Sequence, residues 1–307
     1  MNHQLSTKTL IVLAGPTASG KTAAAIRLAK QFNTVVVSAD SRQFYREMSI
    51  GTAKPTAEEL AAAPHYFIDS HSITQPFSVG DFERDCLQLL GELFEMMDVV
   101  ILTGGSGLFI KAITEGFDDL PPADTDIRYK LNTELNDKGI NALQERLKAI
   151  DPAYYKEVDL NNPQRVIRAI EVYESTGMPF SSYRIALVNK RPFNIIKLGL
   201  DMDRARLYDR INRRVDIMVE QGLVEEVRSL LPYRHLNALN TVGYSEIFAY
   251  LDGSTDLPTA IAAIQQNTRR FAKRQLTWFR KDKEIIWLKA DADDLFEKIV
   301  AVVNAAM

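Results

Sequence analysis

Residues 10–22 read LIVLAGPTASGKT and run on into AAAIRLAK. The apolar run 10–14 is short and meets Gly15 at once, which specifies a buried strand breaking into a turn. Gly15, Gly20, Lys21 and Thr22 fit the spacing G-x-x-x-x-G-K-[ST]. In that arrangement backbone N–H groups and a helix N-terminus cradle a phosphate. Pro16, Thr17, Ala18 and Ser19 complete the loop, Lys21 reaches the outer phosphate, and Thr22 holds Mg2+ through its hydroxyl. Strand, loop and helix in this order restrict the chain to α/β folds whose parallel sheet delivers the loop to its carboxyl edge. The motif identifies a di- or triphosphate and leaves open which one.

Further strand-like runs fall at 34–37, 66–68, 99–103, 195–200 and 285–288, with helical patterns at 22–32 and 79–97. This alternation predicts a parallel sheet covered on both faces. Residues 118–124 read DDLPPAD, a linker, and helical patterns follow at 126–136, 141–149, 152–157 and 163–175. Sheet character returns at 195, and long helices follow at 204–221, 224–230 and 259–280. The organisation expected is an α/β core from 1–123 and 193–307, interrupted by a helical insertion at 124–192. A chain of 307 residues is ample for one large and one smaller domain.

No apolar stretch reaches the roughly 20 residues of a membrane span, and the first strand starts too early to leave room for a signal peptide. Cys86 is the one cysteine and reads as a buried side chain, so no internal disulfide is expected. These features predict a cytosolic protein. The net charge of −3 does not mark a nucleic-acid binder, yet residues 269–281 read RRFAKRQLTWFRK, basic with aromatics interleaved. Phe271, Trp278 and Phe279 recur at helical spacing and read as core. Arg210, Arg213 and Arg214 form a second basic cluster, and together the two could line a positive groove.

A nucleotide hydrolase needs a carboxylate at the end of a buried strand to position water. The strand at 99–103 ends instead in Gly104-Gly105-Ser106-Gly107, and Asp98 lies at its other end. Asp40 closes the strand at 34–37, beside the phosphate loop. There it is either a general base or a helix N-cap, with Ser41, Arg42 and Gln43 as polar neighbours. Lys54 is ambiguous, His65 reads as a structural histidine, and no metal-ligand spacing is present. Arg165 and Arg168 share one helical face, for which solvent exposure is the ordinary explanation.

Taken together, GPTASGKT, Asp40-Ser41-x-Gln43-x-Tyr45, Ile50-Gly51-Thr52-Ala53-Lys54-Pro55, Gly104-Gly105-Ser106-Gly107-Leu108, Asn162-Pro163-Gln164-Arg165-Val166-x-Arg168, Val242-Gly243-Tyr244 and Ala272-Lys273-Arg274-Gln275-x-Thr277-Trp278 resemble the tRNA dimethylallyltransferases. The blocks stand in that family's order from residue 15 to about 280. The resemblance implies a P-loop kinase-like parallel sheet with an inserted helical domain that grips the anticodon stem-loop. It implies transfer of a dimethylallyl group from its diphosphate to N6 of the adenosine 3′ to the anticodon of tRNA, with Mg2+. By the same resemblance Asp40 takes the N6 proton, Lys21 and Arg214 act on the diphosphate, and Ser106 keeps a catalytic hydrogen-bonding role through its hydroxyl. Asp40, Ser41, Arg42, Gln43, Ser106, Arg128, Gln164, Arg165, Val166, Ile167 and Arg168 would meet the tRNA. The resemblance implies a monomer, and the absence of zinc-finger spacing points to a bacterial type. Two departures stand out: Ser106 replaces the family's usual Thr, and Arg42 replaces Met or an aliphatic residue. The rival readings are an ATP-dependent small-molecule kinase and a non-catalytic RNA-binding module with a relic loop.

Overall fold

The computed structural model describes residues 8–118, 120–184 and 190–307. Strands β1 (Thr9–Ala14), β2 (Val36–Ser38), β3 (His65–Tyr66), β4 (Val99–Gly104), β5 (Asn194–Asp201) and β6 (Ile286–Lys289) form one six-stranded sheet ordered β3-β2-β4-β1-β5-β6. Every neighbouring pair is parallel. β1 is central and apolar on both faces. Leu10 and Val12 pack with Phe82, Cys86 and Leu90 of the Val79–Met96 helix. Ile11 and Leu13 face the other way, onto Ala25 and Leu28 of the Lys21–Gln31 helix and Ile299 and Val303 of the Leu295–Ala306 helix. Each such fully buried aliphatic side chain contributes about 1.5–3 kcal/mol. Burial also raises the Cys86 thiol well above the ordinary thiol range, so it stays protonated.

All the strands expected from sequence are present, with shifted ends. β3 stops at Tyr66 because Phe67 (φ 59°) and Asp69 (φ 53°) adopt left-handed backbone, which a strand cannot carry. The helices Ala57–Ala62, Gly107–Thr114, Tyr244–Leu251 and Leu295–Ala306 went unmarked by the sequence pattern. Among the described residues no helix is long and apolar enough to cross a membrane.

The chain groups into two compact units. One runs to Thr114 and resumes at Arg191, and holds the sheet; the other is Glu115–Lys190. The second unit contains the helices Thr125–Lys138, Ile140–Ile150, Pro152–Tyr155, Pro163–Thr176 and Phe180–Tyr183 around a core of Leu131, Leu143, Leu147, Val166, Ile167 and Ile170. Residues 120–124 of the stretch read as a linker are packed within it. Leu120 packs on that core, the Pro121 carbonyl accepts from Arg168, and Asp124 caps the first helix through the N–H groups of Asp126 and Ile127. Arg191, where the sheet unit resumes, donates to the carbonyls of Ile113 (2.8 Å) and Ala112 (2.6 Å) and pairs with Glu83 (2.7 Å).

Candidate active site

β2, β4 and β1 are adjacent at the middle of the sheet, so the loops that follow them converge at one edge. Ala14 pairs with Gly104 and Ser38 with Thr103, which brings the phosphate loop, Asp40 and the Gly105–Ser106 turn together.

The phosphate loop has the backbone its sequence requires. Gly15 turns at φ 152°, and a Cβ there would stand 2.7 Å from the Leu200 carbonyl oxygen of β5. Ala18 (φ 63°) and Gly20 (φ 93°) are left-handed and curl the chain toward the helix. Gly20 leads into the Lys21–Gln31 helix with no side-chain cap, leaving the first N–H groups for an anion. Ser19 Oγ is buried without a hydrogen-bond partner. Lys21 Nζ donates to the Pro16 carbonyl at 2.6 Å. Burial pulls this amine down to about 7; Asp40 opposes the shift and Arg214 adds to it. Burial likewise lowers Arg214, helped by Arg210 and opposed by Glu59. Arg210 reaches over the helix start, 3.8 Å from where a Cβ of Gly20 would sit. Three cations thus gather where an anion would bind, and Thr22 stands half-buried in the first helical turn.

Asp40 caps a turn rather than a helix. Its Oδ1 accepts from Arg42 N (2.9 Å) and Gln43 N (3.4 Å). Ser106 Oγ accepts from Ser41 N (3.1 Å) and lies 3.3 Å from Ser41 Oγ, so the hydroxyl at this position ties the β4 loop to the β2 loop. Gln43 donates through Nε2 to the carbonyls of Thr52 (3.3 Å) and Ala53 (3.1 Å), and its Oε1 accepts from Ser38 Oγ (3.3 Å). Burial lowers the Arg42 guanidinium, with Tyr45 and Asp40 opposing. Lys54 is structural: it donates to the Tyr45 carbonyl and pairs with Asp69. His65 Nδ1 lies 2.8 Å from the Ala63 carbonyl, also a structural contact.

In the helical unit, Gln164 and Arg165 are exposed at the start of the Pro163–Thr176 helix. Val166 and Ile167 are wholly buried in the unit's core, so their side chains do not reach a ligand; the helical stripe that puts Arg165 outside puts them inside. Arg128 and Arg168 converge on the buried Glu171, at 2.6 Å and 3.3 Å. In the sheet unit, the Leu257–Phe279 helix buries Phe279 but leaves Phe271 and Trp278 each 38% exposed, which corrects their reading as core. Arg270, Lys273 and Arg274 share that outer face.

Sequence reasoning missed two contributors. Gln275 is buried and bonds two of the site's loops, to Thr17 N and to the Gly105 carbonyl, each at 2.9 Å. Glu226 accepts from Ser49 N (3.0 Å), Ile50 N (2.7 Å), Gly51 N (3.0 Å) and the Tyr244 hydroxyl (2.6 Å), holding the loop on which Gln43 rests. The available signal for Gln275 was a polar residue on the apolar stripe of a helix.

A parallel sheet that brings an anion cradle and a carboxylate to one edge defines the phosphate-loop enzymes. Residues 43–282 match the model of the IPP transferase family, and the chain belongs to that family. The tRNA dimethylallyltransferase of Christiangramia forsetii is 54% identical over 297 residues, covering 96% of this chain and 98% of its own. The tRNA dimethylallyltransferase 1 of Bacteroides thetaiotaomicron is 48% identical over 285 residues, 93% of this chain and 92% of its own. The solved full-length tRNA isopentenylpyrophosphate transferase from Bacillus halodurans aligns with a TM-score of 0.73 at 40% identity, covering 97% of this chain and 96% of that one. A eukaryotic dimethylallyltransferase shares the fold, with a TM-score of 0.77 at 24% identity over 96% of this chain and 78% of that one.

Proposed function

We propose that the chain is a tRNA dimethylallyltransferase, moving a dimethylallyl group from dimethylallyl diphosphate to N6 of the adenosine 3′ to the tRNA anticodon. The observation that carries this reading is the end of β4. It offers Gly104, Gly105 and Ser106 where a hydrolase keeps a water-positioning acid, while the carboxylate stands on Asp40 after β2. The cradle then holds a leaving group, and the acid faces an incoming nucleophile. Near-full-length relatives named for this reaction support the same reading.

In the transfer, the bond from allylic carbon to diphosphate oxygen breaks and its electron pair leaves with the diphosphate. The N6 lone pair bonds that carbon, and the N6 proton passes to Asp40. Oδ1 of Asp40 is engaged by two backbone N–H groups, so Oδ2 receives the proton. Lys21 and Arg214 offset charge on the departing group, with the loop N–H groups. The target base leaves its stack to enter the site. Gln43, its nitrogen held on the carbonyls of Thr52 and Ala53, offers the base its amide oxygen. The buried, unpartnered Ser19 hydroxyl marks a loop whose polar atoms await a ligand, and the donor set fits Mg2+. Thr22 would hold that ion together with substrate phosphate oxygens, and it would supply further charge compensation there. The helical unit takes the anticodon stem-loop, with Gln164 and Arg165 as exposed contacts and Arg128 and Arg168 arranged by Glu171.

The test is a label-transfer assay with Mg2+, unmodified tRNA and labelled dimethylallyl diphosphate, run beside labelled ATP. Label in tRNA is the expected result. Unlabelled tRNA, with the γ-phosphate of ATP passing to an acceptor, would replace the reading with a kinase.

A further inference from the structure

Gln275 lies on the buried face of the Leu257–Phe279 helix, between Ala272 and Phe279. A side-chain amide buried without partners costs several kcal/mol on transfer scales, and this one spends its acceptor and one of its donors on two different loops. Oε1 accepts from the N–H of Thr17, in the phosphate loop. Nε2 donates to the carbonyl of Gly105, one residue before Ser106. The approach is close enough that a Cβ on Gly105 would overlap Nε2, so the second glycine of Gly104-Gly105-Ser106 is a consequence of Gln275.

Both loops are anchored onward. Beyond Thr17, Ala18 holds its left-handed turn and Lys21 opens the helix. Beyond Gly105, Ser106 Oγ takes the N–H of Ser41, next to Asp40. We infer that Gln275 is a positioning residue that sets the spacing between the diphosphate cradle and the Ser41–Asp40 wall. On the transferase reading above, on which this rests, that spacing is the alignment of the allylic carbon with the attacking amine. Thr17 N–H, turned to Gln275, is correspondingly withdrawn from the ring of amides that meets the anion. Gln275 touches no reacting atom in this scheme.

The test uses the full chain with Gln275→Met, which keeps length and apolar bulk but loses both bonds, and Gln275→Glu, which keeps only the acceptor for Thr17 and sets an oxygen against the Gly105 carbonyl. A misplacement near 1 Å at a reacting centre costs on the order of 10²-fold in rate. The single-turnover transfer rate should fall about 10- to 100-fold in both variants, with tRNA affinity within about two-fold of the unsubstituted protein. Affinity of the Met variant for inorganic diphosphate should fall about ten-fold, since the loop loses its tether. A folded Met variant transferring at the original rate would overturn the inference, as would a loss lying wholly in tRNA affinity. If Gln275→Met does not fold, Gln275→Glu decides: a full rate there removes the Gly105 bond from the argument. Should the unsubstituted protein transfer nothing to tRNA, the transferase reading fails separately. The diphosphate affinities still decide on Gln275, equal values overturning it.

Discussion

Lys21 meets two demands at one position: to be charged when the diphosphate arrives, and to sit in a buried cradle beside Arg214 before it does. The free protein settles these with an amine near 7, partly discharged at neutral pH. A bound diphosphate raises that value, so binding takes up a proton above about pH 7. Affinity is fullest below the free value and falls as pH climbs from it toward the bound value, by up to about ten-fold per pH unit. Calorimetry in buffers of differing ionisation enthalpy reads the uptake directly; affinity flat from about pH 7 to 9 would contradict it. Asp40 supplies the sharper result. Asp40→Asn keeps an Oδ1 for the N–H groups of Arg42 and Gln43, so the turn survives while the base is lost. Turnover should drop about 10²- to 10⁴-fold with tRNA affinity unchanged. Undiminished single-turnover rates would take Asp40 out of the chemistry.

The Pro163–Thr176 helix shows how an element divides its residues between fold and ligand. Its inward stripe buries Val166, Ile167 and Ile170, while Glu171, fully buried, accepts from Asp124 N (2.8 Å) and from Arg128, and pairs with Arg168. Glu171→Gln should cost about 2–3 kcal/mol, below the 3–5 typical of a broken buried pair because both arginines keep some water contact. Urea denaturation checks this, and a change under about 0.5 kcal/mol, the range of an ordinary surface substitution, would show the carboxylate to be dispensable. The same helix explains what the sequence disclosed and what it withheld. Strand, phosphate loop and helix were legible because glycine spacing and an apolar run both report local backbone geometry. Local pattern could not say that Arg168 would turn to Glu171 and Pro121, or that Trp278 would face outward. Those outcomes depend on which surface covers each helix. Gln275 was hidden for a related reason: its partners, Thr17 and Gly105, lie 258 and 170 residues away.

Over the whole molecule, a net charge of −3 coexists with an exposed basic helix face in the sheet unit and an exposed Arg165 in the helical one, so an RNA partner would be drawn by local field rather than by the total. Arg165 is the cleaner probe of that field, being exposed at a helix start, whereas Arg168 is engaged in the fold. Arg165→Glu should weaken tRNA binding and reduce the slope of log affinity against log salt by about one. Unchanged affinity and slope would assign Arg165 to solvent. The ties made by Arg191 bear on a different matter. It grips the carbonyls of Ala112 and Ile113 at the close of the Gly107–Thr114 helix, so the sheet unit fastens the point where its chain departs to the point where it comes back. A gap closed that tightly is one a brief turn could bridge. Such a protein could gain, lose or exchange its intervening module as a cassette, with the sheet unit left whole.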